Sequence, residues 1–212
     1  MEPQEILRIL IRYLVLLFSL SVHESAHAWA ALQQGDDTAL REGRISLNPL
    51  VHIDPIGTVL FPLMGLFMGG WIFGWAKPTP MQPRNFRDFR WGQISTAGAG
   101  PVSNFLLAIM FTVLYGFATR VASPDNPLVL ICWTGIWLNV LLGVFNLLPV
   151  PPLDGSWIAS WGLPRKWGDL YDKYMEPYGF LILIGLFITG VLGFIVGVIV
   201  WPVAFFLRDL VA

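Results

Sequence analysis

The sequence predicts an α-helical polytopic membrane protein. Five or six membrane segments are expected, including a re-entrant hairpin, together with a short membrane-associated β-hairpin. Three observations carry that reading. Hydrophobic residues make up 55% of the 212-residue chain and charged residues 13%, against roughly 25% charged in soluble domains. The mean hydropathy is +0.63. The apolar residues gather in five long runs divided by polar stretches, and about 20 apolar residues suffice to cross a bilayer. Residues 1–212 read as one transmembrane domain, with a core at 1–155 and a C-terminal loop and one or two helices at 156–212.

The first run spans about Ile6 to Leu32. Arg8 and Arg12 ahead of apolar sequence, with Ala26-His27-Ala28 as a small-x-small site, have the outline of a signal peptide. Its length, however, is that of a spanning helix, and it reads as retained. Polar sequence follows from Gln33 to Asp54, where Arg44-Ile45-Ser46-Leu47 alternates like a strand and pairs in expectation with Thr38-Ala39-Leu40-Arg41. The second run, Pro55 to Ala76, carries no charge and is interrupted by Pro62, Gly65, Gly69, Gly70 and Gly74. A proline-rich loop beginning Lys77-Pro78-Thr79-Pro80 leads to the third run, Gly98 to Thr119. The fourth runs from Leu128 to Val150 and the last from Pro177 to Leu207. The last would reach about 46 Å as one helix, longer than a hydrocarbon core requires. One tilted helix, or two meeting near Gly190–Gly193, both satisfy it.

Within the first run stands His23-Glu24-Ser25-Ala26-His27. Residues four apart share a helix face, so both imidazoles can point at one metal ion. Glu24 then lies beside the metal, where it can take a proton from water. Ionisable groups inside a membrane are costly and functional by default. A catalytic zinc site usually has three protein ligands and a water, which leaves one to find. His52, Asp154 and the acids of the polar loops are candidates. Asp154 is favoured, because it follows the proline-broken end of an apolar helix where packing has no use for an acid. The prolines free backbone groups that a membrane tolerates only when buried or lining a wet cavity.

Three segments now carry a resemblance. His23-Glu24-Ser25-Ala26-His27, Gly100-Pro101-Val102-Ser103-Asn104 and Asn146-Leu147-Leu148-Pro149-Val150-Pro151-Pro152-Leu153-Asp154-Gly155 resemble, in order, the signature elements of the site-2 protease family of intramembrane zinc metalloproteases. Asn48 to Gly57 and Gly74 to Pro78 resemble its small members, which lack a PDZ or CBS domain. The resemblance implies one zinc ion per chain, held by His23, His27 and Asp154, with Glu24 as general base. It also implies that Asn146 holds the substrate backbone near the metal. Asn104 matches a family position and is assigned helix packing or support of the site. His52 reads first as a loop histidine near the interface, with a supporting or gating role as the alternative. The expected activity is hydrolysis of peptide bonds within or near transmembrane segments of membrane-anchored proteins.

The ligand set constrains topology. His23 and His27 lie late in the first run and Asp154 follows the fourth, so those helices must run in the same direction. Pro55 to Ala76 is therefore expected to make no net crossing, bending at Gly65 or Gly69-Gly70. The loops at one end then hold Arg41, Arg44, Lys77, Arg84, Arg87, Arg90, Arg165, Lys166 and Lys173, against Arg8, Arg12 and Arg120 at the other. The positive-inside rule assigns the site-bearing end to the cytoplasm, in a prokaryotic cell membrane. The expected partners are transmembrane protein substrates and the lipid bilayer. A net charge of −1 without a basic tract gives no footprint for nucleic acid. Cys132 is the sole cysteine and excludes an intrachain disulfide. A metal transporter built on the same residues, and a non-catalytic scaffold with a structural zinc closed by His52, are the competing readings.

Overall fold

The computed structural model describes residues 2–67 and 74–211. Helix α1 (Pro3–Gln33) opens with proline in its first turn, where the missing N–H costs nothing. There the Glu5 carboxylate accepts the Glu2 amide at 3.0 Å. Helix α4 (Phe89–Val121) starts at Asp88, whose carboxylate accepts the Trp91 amide, and α5 (Pro127–Asn146) at Asn126, which accepts the Leu128 amide. These short polar side chains satisfy amides that the first helical turn leaves without partners.

Side-chain contacts fix the directions of the three long helices. His27 late in α1 meets Thr96 early in α4, so α1 and α4 are antiparallel. Ser19 of α1 meets Asn139 of α5, and His23 meets Asp154 just beyond α5, so α1 and α5 are parallel. Phe18, Leu107, Phe111, Ile136 and Ala204 pack together at the centre, and Val15, Leu16, Leu20 and Leu138 between α1 and α5. Leu106, Ile109, Val113 and Phe117 of α4 face outward. A helix apolar all round suits a core on one side and lipid on the other. Among the described residues, four helices are long and apolar enough to cross a membrane: Gln4–Gln33, Phe89–Val121, Pro127–Asn146 and Val191–Asp209. Two shorter apolar helices, Pro55–Met64 and Gly179–Ile188, accompany them.

The residues between α1 and α4 begin and end at the same end of the bundle. They include a helical turn α2 (Thr38–Arg41), a 3₁₀ turn at Pro49–His52, and a π-helical turn (Pro55–Leu60) running into α3 (Phe61–Phe67). The Trp75 amide donates to the Gly57 carbonyl at 3.3 Å and the Lys77 amide to the His52 carbonyl at 2.9 Å. The chain is thus back beside its starting point before α4 begins, as the shared direction of α1 and α5 demands. Gly65 lies within α3, not at a turn; the expected bend at Gly69-Gly70 lies outside the described residues.

The expected β-hairpin is corrected. No strand occurs among the described residues, and Thr38–Arg41 is helical. Arg44-Ile45-Ser46-Leu47 is held by side chains instead of a ladder. Ser25 bonds both the amide and the carbonyl of Ser46. Arg44 turns inward and donates to the carbonyls of Val51, Lys77 and Pro78. Alternation in this segment therefore reports one buried arginine, not a sheet face.

After α5 come α6 (Asp154–Gly162) and α7 (Arg165–Met175). The last apolar run divides in two: α8 (Gly179–Ile188) ends before Gly190, whose φ of 76° breaks the helix, and α9 (Val191–Ile195) follows. A π-helical turn (Val196–Val200) leads into α10 (Trp201–Asp209). Val200 packs with Ala108 and Val140, Ala204 with Ile136, and Arg208 lies over Trp133. This last stretch runs antiparallel to α5.

Candidate metal centre

Three side chains from two distant stretches converge at one point. His23 Nε2 lies 3.1 Å from Asp154 Oδ2, His27 Nε2 lies 3.4 Å from Asp154 Oδ1, and the two Nε2 atoms are 3.0 Å apart. These ligand atoms all fall within 4.8 Å of one another. His23 and His27 are buried at 4% and 6% exposure inside the apolar bundle.

The neighbours decide which ring nitrogens carry protons. His27 Nδ1 is 2.7 Å from the Thr96 carbonyl, which can only accept. His23 Nδ1 is 2.7 Å from Asn104 Oδ1, and the Asn104 amide nitrogen is committed to Asn139 Oδ1 at 3.0 Å. Both Nδ1 atoms therefore donate, and in the neutral rings both Nε2 atoms present lone pairs. Two lone pairs and a carboxylate facing one another repel unless a cation lies between them. Asp154 Oδ2 is buried with no hydrogen-bond donor among the described residues. Two outward-braced imidazoles and a carboxylate are donors of the kind that a catalytic zinc ion would take. The residues present fit that ion.

Local sequence explains the approach of each group. The α1 turn places His23 and His27 on one face. Gly100 gives the room they need: a β-carbon there would lie 2.5 Å from both rings. Leu147–Leu153, with Pro149, Pro151 and Pro152, ends α5 and turns the chain into α6, so Asp154 enters the first turn of a new helix, where the dipole favours a carboxylate. A β-carbon on Gly155 would lie 2.3 Å from the Leu147 carbonyl oxygen. Only glycine lets α6 settle against the end of α5.

The four other expected residues each have partners of their own. Asn104 is fully buried and bonded to His23. Asn146 is the last residue of α5, and its amide donates back to the Leu142 carbonyl at 3.1 Å. His52 stands apart from the ligand cluster. It is buried, and Nε2 donates to the Ser46 carbonyl at 2.8 Å, behind Ser25 of the motif. Glu24 Oε2 is held by Thr79, whose amide lies 2.9 Å and whose hydroxyl 2.8 Å away. Sequence reasoning missed Thr96, Asn139 and Thr79. Buried Asn139 in an apolar helix was a usable signal; a backbone carbonyl and a loop threonine left none.

The sequence profile described as Peptidase family M50 matches residues 120–190. The chain is 38% identical over 203 residues to a Bacillus subtilis (strain 168) protein named "Putative zinc metalloprotease YwhC", covering 91% of this chain and 86% of that one. It is 31% identical to "Putative zinc metalloprotease Rip2" of Mycolicibacterium smegmatis, over 83% of this chain and 66% of the relative. It is 26% identical to "Zinc metalloprotease MJ0392" of Methanocaldococcus jannaschii, over 74% of this chain and 36% of the relative. No solved structure matches the chain.

Proposed function

The chain belongs to peptidase family M50, the site-2 protease family, and from that membership and its buried ligand cluster we propose an intramembrane zinc metalloprotease that cleaves peptide bonds within or near transmembrane segments of membrane-anchored proteins. The observation that carries the reading is the convergence of His23, His27 and Asp154 inside an apolar helix bundle.

Zinc is the cofactor, and His23, His27 and Asp154 are its proposed ligands. When bound, zinc polarises a scissile carbonyl and makes water acidic enough to attack near neutral pH. Glu24 follows the first ligand, so its carboxylate is on hand to accept the proton of the attacking water and return it to the leaving nitrogen. Thr96 and Asn104 hold the imidazoles in the tautomer that turns Nε2 inward. The proline-broken segment before Asp154 supplies free backbone groups at the end of a spanning helix, which favours local water. Asn146, directly before that break, is assigned to the substrate backbone.

A substrate helix hides its peptide bonds in its own hydrogen bonds, so it must unwind locally before attack. The cationic loops share the end of the bundle that carries the site, and we place that end at the cytoplasmic face of a prokaryotic membrane. Relatives from bacteria and an archaeon support a prokaryotic membrane.

The deciding experiment uses the purified full chain in vesicles with a pool of fluorophore-tagged single-span helices. Glu24→Gln should abolish cleavage while zinc stays at one ion per chain. Undiminished cleavage by that variant would refute the assignment. Zinc transport would place no special demand on Glu24 once metal is bound.

A further inference from the structure

The segment after the second apolar run is a strap pinned at both ends across Glu24. Proline at 78 and 80 disfavours the helical region for Lys77 and Thr79 and removes two backbone donors. Between Pro78 and Pro80 the Thr79 N–H is the only amide donor. The strap makes no ladder, so its donors are spent elsewhere. The Lys77 amide goes to the His52 carbonyl at 2.9 Å, the Thr79 amide to Glu24 Oε2 at 2.9 Å and the Gln82 amide to Asp36 Oδ2 at 2.6 Å. Upstream, buried Arg44 grips the carbonyls of Lys77 and Pro78. Downstream, fully buried Asp36 also takes the Asn85 side-chain amide at 3.0 Å. Thr79 sits between these two anchors.

Thr79 meets Glu24 with two donors on one oxygen: the amide, and a hydroxyl 2.8 Å from Oε2 and 3.0 Å from the Glu24 carbonyl. No described residue hydrogen-bonds Oε1. A glutamate has three rotatable side-chain bonds and, unheld, would sample several rotamers beside the metal. Held by Oε2, it presents Oε1 in one direction.

We propose that Thr79 is the positioning residue for the proton-accepting carboxylate: its amide and hydroxyl lock Glu24 Oε2 so that Oε1 faces the reacting water. The proposal rests on the reading of Glu24 as general base. Arg44 and Asp36 serve it by holding the strap at a fixed height over α1. The plainer alternative is that Thr79 only fastens the strap to the helix. That role would show in zinc content and stability rather than in turnover.

The test uses zinc-loaded full chain in vesicles and whichever helix of the tagged pool the wild type cleaves fastest. Thr79→Val keeps the amide and the side-chain shape but loses the hydroxyl. Thr79→Ala loses it without placing a second methyl group. Thr79→Ser restores it. Losing one hydrogen bond to a charged group should lower kcat about tenfold in the Val and Ala variants, with KM and zinc content within about twofold of wild type. Thr79→Ser should recover wild-type kcat. Unchanged kcat in both the Val and Ala variants, beside an inactive Glu24→Gln, would overturn the proposal and leave the general base in place. Loss of zinc in those variants, or a Ser variant as impaired as they are, would reduce Thr79 to a fastener and also overturn it. Full activity in Glu24→Gln would remove the base itself, a distinct failure.

Discussion

Asn104 Oδ1 and His23 Nδ1 lie 2.7 Å apart although 81 positions separate them in sequence. The contact is one link in a buried chain. Asn104 donates to Asn139, and Asn139 donates to Ser19 Oγ at 2.9 Å and to the Gly135 carbonyl at 2.9 Å. The chain ties α4, α5 and α1 together at the level of the ligands. It also fixes the Asn104 amide so that its oxygen, not its nitrogen, faces the imidazole.

Asn104→Ala should therefore weaken zinc binding about 10- to 100-fold, the usual cost of losing a partner that orients a metal-bound histidine. Competition against a coloured chelator measures it. Asn139→Ala should weaken binding less, since it acts through Asn104. Equal affinity in wild type and Asn104→Ala would show that His23 needs no brace.

Gly100→Ala puts a methyl group where the two ligand rings already lie, 2.5 Å away. Overpacking of this kind costs about 1–3 kcal/mol, and here the strain falls on the ligands. Zinc content should drop well below one per chain and cleavage with it. Gly162→Ala, which meets nothing within 4 Å among the described residues, is the control and should match wild type in both measurements.

Asp36 links the strap to acid stability. Burial alone would raise its pKa, but the Gln82 amide, the Thr38 hydroxyl and amide and the Asn85 side chain together hold it below the ordinary carboxylate value. A carboxyl depressed in the folded state contributes stability in full above its unfolded pKa, about 3.9, and loses it as pH falls through the folded value. Wild type should become less heat-stable below about pH 4. Asp36→Asn should be less stable than wild type at neutral pH, and the difference should shrink on acidification. A difference that stays constant from pH 7 to acid would rule out this role.

Zinc removal should separate chemistry from fold. The apolar clusters joining α1, α4, α5 and α10 do not include the ligands. Chelation should abolish cleavage while leaving helical circular dichroism unchanged, with a lower Tm that zinc restores. Collapse of the helical signal on chelation would mean that the ion holds the bundle together.

Topology is open to labelling, because Cys132 is buried and a Cys132→Ser background is simple to build. Exposed Arg84 and Trp167 lie beyond the ends of the helices that carry the site, and exposed Asp125 lies beyond the opposite end. Cysteines at 84 and 167 should react with an impermeant reagent from one side only, and cysteine at 125 from the other. Labelling of 84 and 125 from the same side would contradict the crossing made by α4.

Class, helix positions and the meeting of His23, His27 and Asp154 were legible in the residues. Apolar run length marks a spanning helix because the bilayer has a fixed thickness. The i, i+4 spacing puts His23 and His27 on one face because 3.6 residues make a turn. Asp154 stood out because an acid at the end of an apolar helix has no packing use. From those placements alone comes the expectation that the residues between α1 and α4 make no net crossing, since ligands to one ion must share a depth. Tertiary structure decided the rest. Alternation at 44–47 predicts a strand, but a buried arginine and a sheet face leave the same trace. Whether the last run was one helix or two depended on the conformation of Gly190, which glycine permits without requiring. Thr79, Thr96 and Asn139 act through hydrogen bonds to residues tens of positions away. Such contacts arise only when the packed helices and the strap bring those donors and acceptors together, and no local pattern encodes that meeting.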